Sequence, residues 1–187
     1  MWDTNFQEEL YHHGIKGQKW GVRRYQNEDG SLTDAGKKRY YEGESLKFTT
    51  SKGEVGYMHK QKPVGLAKLL SKNEKYKKEA DKTKFYDAYV NGKKVGDLTL
   101  YKESNTSING TWLEVKKSER GKGYATAILK SALGQAKMDG FKDFTLEVPG
   151  TSPDARHIYE KLGFIAGKQI SDEDDVWGGL TAMKKHL

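Results

Sequence analysis

Between residues 108 and 136 the hydrophobic period of the chain changes once, across a turn built of glycine and charge. Residues 108–115 read as a strand following the polar turn Ser104-Asn105-Thr106-Ser107. Ala125, Ile128, Leu129, Ala132, Leu133 and Ala136 then fall at helical spacing, a narrow apolar stripe on one helix of about four turns. So narrow a stripe leaves the rest of the helix in water, and the face it buries needs a sheet or another helix beneath it.

The flanking segments supply the sheet. Residues 85–90 read as a strand, and Asn91-Gly92, a strong two-residue hairpin signal, leads into a second strand at 95–101. With 108–115 these make an antiparallel meander. Phe144, Leu146 and Val148 alternate with Thr145 and Glu147, the pattern of a half-buried strand. Pro153 opens a helix on which Ala155, Ile158, Tyr159 and Leu162 share a face, and Gly163 closes it. Residues 164–170 and 176–183 read as two last strands around Asp172-Glu173-Asp174-Asp175, and residues 62–80 as helix, in one piece or two, with Leu66, Leu69 and Leu70 as a short stripe. The expected class is α/β in the α+β sense: a mixed sheet with helices on its faces. Organisation changes near residue 45. Residues 1–45 hold no sustained period and many turn residues, so the folded domain is expected at 46–187, after a weakly structured or docking segment.

Composition excludes several chemistries. The absence of cysteine removes disulfides, thiolate metal sites and cysteine nucleophiles together. No apolar run is long enough to span a bilayer and the N-terminus lacks a signal layout, which gives a cytoplasmic expectation with no membrane partner. The net charge of +7 is concentrated: residues 46–94 carry 13 lysines against 5 acidic residues. The lysine-rich stretch 60–84 reads as a solvated helix face, with weak contact to nucleic acid as the sharper alternative.

Chemistry is concentrated at Arg120-Gly121-Lys122-Gly123-Tyr124-Ala125, which follows a strand and opens a helix. Glycine lets the backbone turn tightly there, and the helix start offers unpaired N–H donors with partial positive charge, a setting suited to a pyrophosphate. Arg120 and Lys122 add cations. The stretch lacks the Gly-Lys-Ser/Thr ending of a P-loop and is too short for a dinucleotide fingerprint.

Leu113-Glu114-Val115 followed by residues 120–125 resembles the acetyl-CoA signature of the GNAT superfamily of N-acetyltransferases, Arg/Gln-x-x-Gly-x-Gly/Ala. Ala155-Arg156-His157-Ile158-Tyr159-Glu160-Lys161-Leu162-Gly163-Phe164 is similar to a second hallmark of that family, at the separation the family has. The resemblance implies a mostly antiparallel sheet with one splayed parallel pair and helices on both faces. It implies acetyl-CoA as cosubstrate, with the amides of Gly121, Lys122, Gly123, Tyr124 and Ala125 on its pyrophosphate. Its pantetheine would lie in a gap between the strand ending Leu113-Glu114-Val115 and residues 145–148. Tyr159 would protonate the leaving thiolate. Ser152 stands where the family often has Asn, a weaker partner for the pantetheine.

The attacking amine needs a proton acceptor, because neutralising a lysine-type amine at pH 7 costs roughly 4–5 kcal/mol. Glu114 is the first candidate base and Glu147 the second, with a water relay as the alternative. No His/Asp/Glu cluster has metal spacing, and none is needed for direct transfer.

Tyr11-His12-His13-Gly14-Ile15-Lys16-Gly17-Gln18-Lys19-Trp20-Gly21-Val22-Arg23-Arg24-Tyr25 and its continuation to Tyr40 resemble a short module of bacteriophage and prophage proteins of Firmicutes. That resemblance implies a phage or prophage origin, a virion or assembly partner for residues 11–40, and a virion-associated location beside the cytoplasmic one. The function expected is acetyl transfer from acetyl-CoA to an amine of a protein or other macromolecule. A catalytically silent GNAT-fold interaction protein is the alternative, and an aminoacyl-tRNA or small-molecule acetyltransferase a minor branch.

Overall fold

A computed structural model of the chain describes residues 25, 27, 32–63, 65–172 and 175–187. Residues 1–24, which carry most of the N-terminal resemblance and His12-His13, lie outside the described residues, as do Glu173 and Asp174.

The described residues form a single sheet of eight strands. In chain order the elements are α1 (Asp34–Tyr40), β1 (Tyr41–Thr49), β2 (Val55–Gln61), α2 (Leu66–Leu70), α3 (Glu74–Ala80), β3 (Thr83–Val90), β4 (Lys93–Lys102), β5 (Ser107–Val115), α4 (Tyr124–Met138), β6 (Asp143–Pro149), α5 (Pro153–Lys161), β7 (Ile165–Gln169) and β8 (Leu180–His186). The sheet order is β1-β2-β3-β4-β5-β6-β8-β7. Every pairing is antiparallel except β5 with β6, and α4 makes that parallel crossover. No helix among the described residues is long and apolar enough to cross a membrane.

The sheet begins earlier than residue 46. β1 starts at Tyr41 and pairs with β2 from Tyr41↔Gln61 to Thr49↔Val55, so these strands extend the meander by two at its N-terminal edge. α1 precedes them directly, its first turn closed by the Thr33 hydroxyl accepting from the Gly36 amide at 3.1 Å.

Two faces follow from the register. Met58, Ala88 and Val115 form one cross-strand row through Gly96, and they are buried with Ile128, Leu129 and Ala132 of α4. The adjacent row, on the opposite face, is His59, Asp87, Asp97 and Glu114. α1 lies on that second side, where Leu32 and Lys37 wall a cavity of about 550 Å³ against Tyr41, Tyr57, His59 and Tyr89. Helices therefore stand on both faces.

Of two further expected elements, the helix takes the two-piece form with its stripe unburied, and the last strand is shorter. The helix at 62–80 is two short helices separated by residues 71–73, and Leu66 and Leu69 are 69% and 63% exposed, so five residues of helix carry their stripe without burying it. The final strand starts at Leu180 rather than 176. Asp175 accepts from the amides of Trp177 (2.7 Å) and Gly179 (3.1 Å), which holds 176–179 in a turn.

Candidate functional site

Strands β5 and β6 run paired from Ser107↔Asp143 to Gly110↔Leu146, and pairing then stops although β5 continues to Val115 and β6 to Pro149. On its other side β5 pairs Leu100 with Gly110 but Thr99 with Trp112, which leaves Thr111 as an extra residue. Such a bulge increases local twist and bends the strand. The outcome is a wedge between Leu113-Glu114-Val115 and residues 147–149, open at the end of the sheet from which α4 and α5 depart.

The turn from β5 to α4 closes that end. Gly121 and Gly123 take φ of +77° and +84°, the left-handed region in which a side chain strains the backbone. Gly123 caps α4 with no side-chain hydrogen bond. Among the described residues no backbone carbonyl accepts from the amides of Gly121, Lys122, Gly123, Tyr124, Ala125 or Thr126, the first such bond being Ala127 to Gly123 at 3.1 Å. Six consecutive donors without backbone partners at a helix start suit an anion's oxygens.

The cations beside the turn are already engaged. Arg120 Nε donates to the Val115 carbonyl at 3.1 Å, tying the turn to the end of β5. Lys122 pairs with Glu119 Oε2 at 2.8 Å, and Lys93 at the start of β4 takes Oε1 of the same carboxylate at 2.5 Å. Glu119 is 4% exposed, and these two hydrogen-bonded lysines hold its carboxyl down to about 2. Tyr124 is buried, which raises its hydroxyl's pKa, and Glu54 from the β1–β2 turn works in the same direction.

Tyr159 lies in the last turn of α5, its ring 5.9 Å from that of Phe164, which in turn stands edge-on to Phe144 in β6. Burial raises the Tyr159 pKa, so the hydroxyl stays protonated through neutral pH. Ser152 is half-buried at the start of α5, with its amide donating to Pro149 and its hydroxyl capping nothing. Leu113 is half-buried and Val115 buried, both facing α4; Glu114 points to the other side and is exposed. Glu147 is exposed across the wedge on that same face. The structure thus brings the phosphate turn, both glutamates, Ser152 and α5 to one end of the sheet.

The open face carries groups that the residue pattern had not singled out. Asp87 accepts from Tyr41 (2.8 Å) and Gln61 (2.9 Å) and pairs with Lys94 at 2.7 Å; Lys94 also bonds Asp97. Burial works against ionisation of Asp87, yet Lys94 and Tyr41 keep its pKa low, whereas burial raises that of Asp97. The row of carboxylates ends at Glu114. Phe85 and Trp112, 51% exposed each, and Tyr57, 46% exposed, are on the same face. In the basic stretch, Lys60, Lys82 and Lys84 are paired with Glu42, Glu79 and Asp139, which takes up part of the charge available to a polyanion.

Residues 81–166 match the family model described as acetyltransferase (GNAT) domain. Residues 3–27 match a family of unknown function. No curated protein matches the chain. Among solved structures, the fold is similar to a GNAT family acetyltransferase from Elizabethkingia anophelis with acetyl-CoA bound, at 16% identity and TM-score 0.55 over 71% of this chain and 98% of that one. It is similar to Ard1 from Thermoplasma volcanium at 17% identity and TM-score 0.56, over 71% and 97% of the two chains. A spermidine N-acetyltransferase from Vibrio cholerae, in complex with CoA and spermine, matches at 17% identity and TM-score 0.54 over 67% and 78%.

Proposed function

We propose that this chain, which carries a GNAT acetyltransferase domain, transfers the acetyl group of acetyl-CoA to an amine of a protein. One observation carries the reading: the wedge between β5 and β6 opens beside six amides at the start of α4 that have no backbone acceptor among the described residues. A pyrophosphate seated on those amides directs a flexible thiol arm into the wedge, where the strands no longer satisfy each other's backbone groups.

In this arrangement residues 121–125 hold the phosphates, and Leu113, Val115 and Ser152 border the pantetheine. The acceptor amine approaches on the face bearing Glu114. It loses a proton to Glu114 or to a water held there, and its lone pair attacks the thioester carbonyl. When the C–S bond breaks, Tyr159 donates its proton to the departing sulfur. The open aromatic surface of Tyr57, Phe85 and Trp112 favours a macromolecular acceptor, because a side chain presented by a protein needs an accessible face with aromatic contacts. The bacteriophage or prophage origin we propose rests on the N-terminal resemblance alone, as does recruitment to a virion or assembly protein through residues 11–40.

Isothermal titration with acetyl-CoA tests the cofactor site, with Gly123→Asp as control. Binding by the parent protein that the substitution abolishes is expected. A folded parent protein that binds no acetyl-CoA overturns the reading. Labelled acetyl-CoA supplied with lysine-bearing peptides, and separately with spermidine, then identifies the acceptor class.

A further inference from the structure

We propose that Glu119 is a positioning residue that holds Lys93 and Lys122 together as a pair of ammonium groups at the phosphate turn, making Lys93 a further contact for the phosphates of coenzyme A. The inference rests on the acetyl-CoA reading above and adds to it a residue from a different element, the β3–β4 hairpin.

The geometry is specific. Glu119 ends a single 3-10 turn, Lys117–Glu119, and is 4% exposed. A buried carboxylate is costly unless it is paired and hydrogen-bonded. Here each oxygen has its own ammonium: Oε1 takes Lys93 at 2.5 Å and the Ser118 hydroxyl at 3.3 Å, and Oε2 takes Lys122 at 2.8 Å. The backbone holds the group in place, with the Glu119 amide donating to Lys116 and the Lys116 amide donating to Val95 of β4. One carboxylate shared by two lysines leaves an excess of positive charge that Glu54, acting on Lys122 from the β1–β2 turn, offsets only in part. The side chains of Lys93 and Lys122 are 63% and 48% exposed, so that charge is presented to solvent at the turn. An arriving phosphate group completes the neutralisation, and each lysine has further N–H donors to give it. Without the carboxylate the two ammonium groups repel each other and lose their common anchor.

The test compares two donors on the full chain: acetyl-CoA, and acetyl-pantetheine, which carries the same thioester without phosphates. Lys93→Met keeps most of the aliphatic stem of a largely exposed side chain. It is expected to raise KM for acetyl-CoA about 3- to 10-fold, with kcat and the KM for acetyl-pantetheine unchanged. Glu119→Gln is expected to raise the acetyl-CoA KM at least as much, again with kcat preserved at saturation, and Glu119→Asp to recover part of the loss. Unchanged acetyl-CoA KM in Lys93→Met overturns the inference, as does an equal loss on both donors, which marks a structural role. Failure of the parent protein to use acetyl-CoA overturns the acetyltransferase reading itself, a separate result.

Discussion

Gly110 and Leu146 are the last partners at which β5 and β6 lie side by side, and Gly110 is also the last residue before the bulge at Thr111. The opening of the wedge is therefore set by a residue without a side chain. A Cβ on Gly110 would stand 2.8 Å from Cε1 of Phe144, a ring with no exposed surface. Gly110→Ala is expected to destabilise the fold by about 1–3 kcal/mol through overpacking, seen as a lower urea midpoint at unchanged m. Stability equal to the parent would mean that Phe144 moves freely, and the packing account would fail.

Tyr159→Phe keeps the ring contact with Phe164 and removes only the hydroxyl proposed as the acid. Burial raises the pKa of this hydroxyl, so the parent enzyme keeps its proton until well into the alkaline range. The substitution is expected to lower kcat by about 100-fold or more while leaving acetyl-CoA affinity within about twofold. Steady-state kinetics and titration separate the two, and an unchanged kcat would assign the proton to another donor.

Glu114 and Glu147 flank the wedge on one face, and replacing each in turn tests which of them, if either, is the proposed base. Glu114→Gln is expected to lower kcat/KM by about 100-fold, with Glu147→Gln close to the parent. The reverse order would transfer the role to Glu147, and small losses in both would leave the proton to water.

Acid stability reports on Glu119. Its carboxyl falls from an ordinary 4.5 to about 2 in the folded chain because Lys122 and Lys93 favour the charged form. A depressed carboxyl stabilises the fold above its unfolded pKa, and that contribution disappears as pH drops through the folded value. The gap in melting temperature between the parent and Glu119→Gln should be full at pH 6, shrink from about pH 4.5, and close near pH 2. A gap independent of pH across that range would exclude ionisation as its source.

Much of this architecture is legible in the sequence because its signals are local. Asn91-Gly92 fixes the β3–β4 hairpin, the 125–136 stripe fixes α4, and Pro153 with Gly163 brackets α5. β1 and β2 are silent for a physical reason. Gly56 interrupts the alternation of β2 because the ring of Phe48 occupies the space over it; a Cβ there would come within 2.2 Å of that ring. A glycine chosen for a close approach looks, in sequence, like a turn. The Glu119 clamp is equally hidden, since Lys93 is 26 residues away and one lysine among many in its segment. The same holds for Asp87 and Asp97, which meet only through strand register.

The start of β1 at Tyr41 also bears on how far the chain can be shortened. Tyr41 is hydrogen-bonded to Asp87 and Tyr89 two strands away, so the first strand is fastened to the sheet through its side chain as well as its backbone. A fragment cut at residue 46, or at the start of the family match at residue 81, would strip backbone partners from β2 or β3 and bare a row of N–H and C=O groups. Such an edge is a template for strand addition by a second copy, so shortened forms are expected to self-associate more readily than the longer chain.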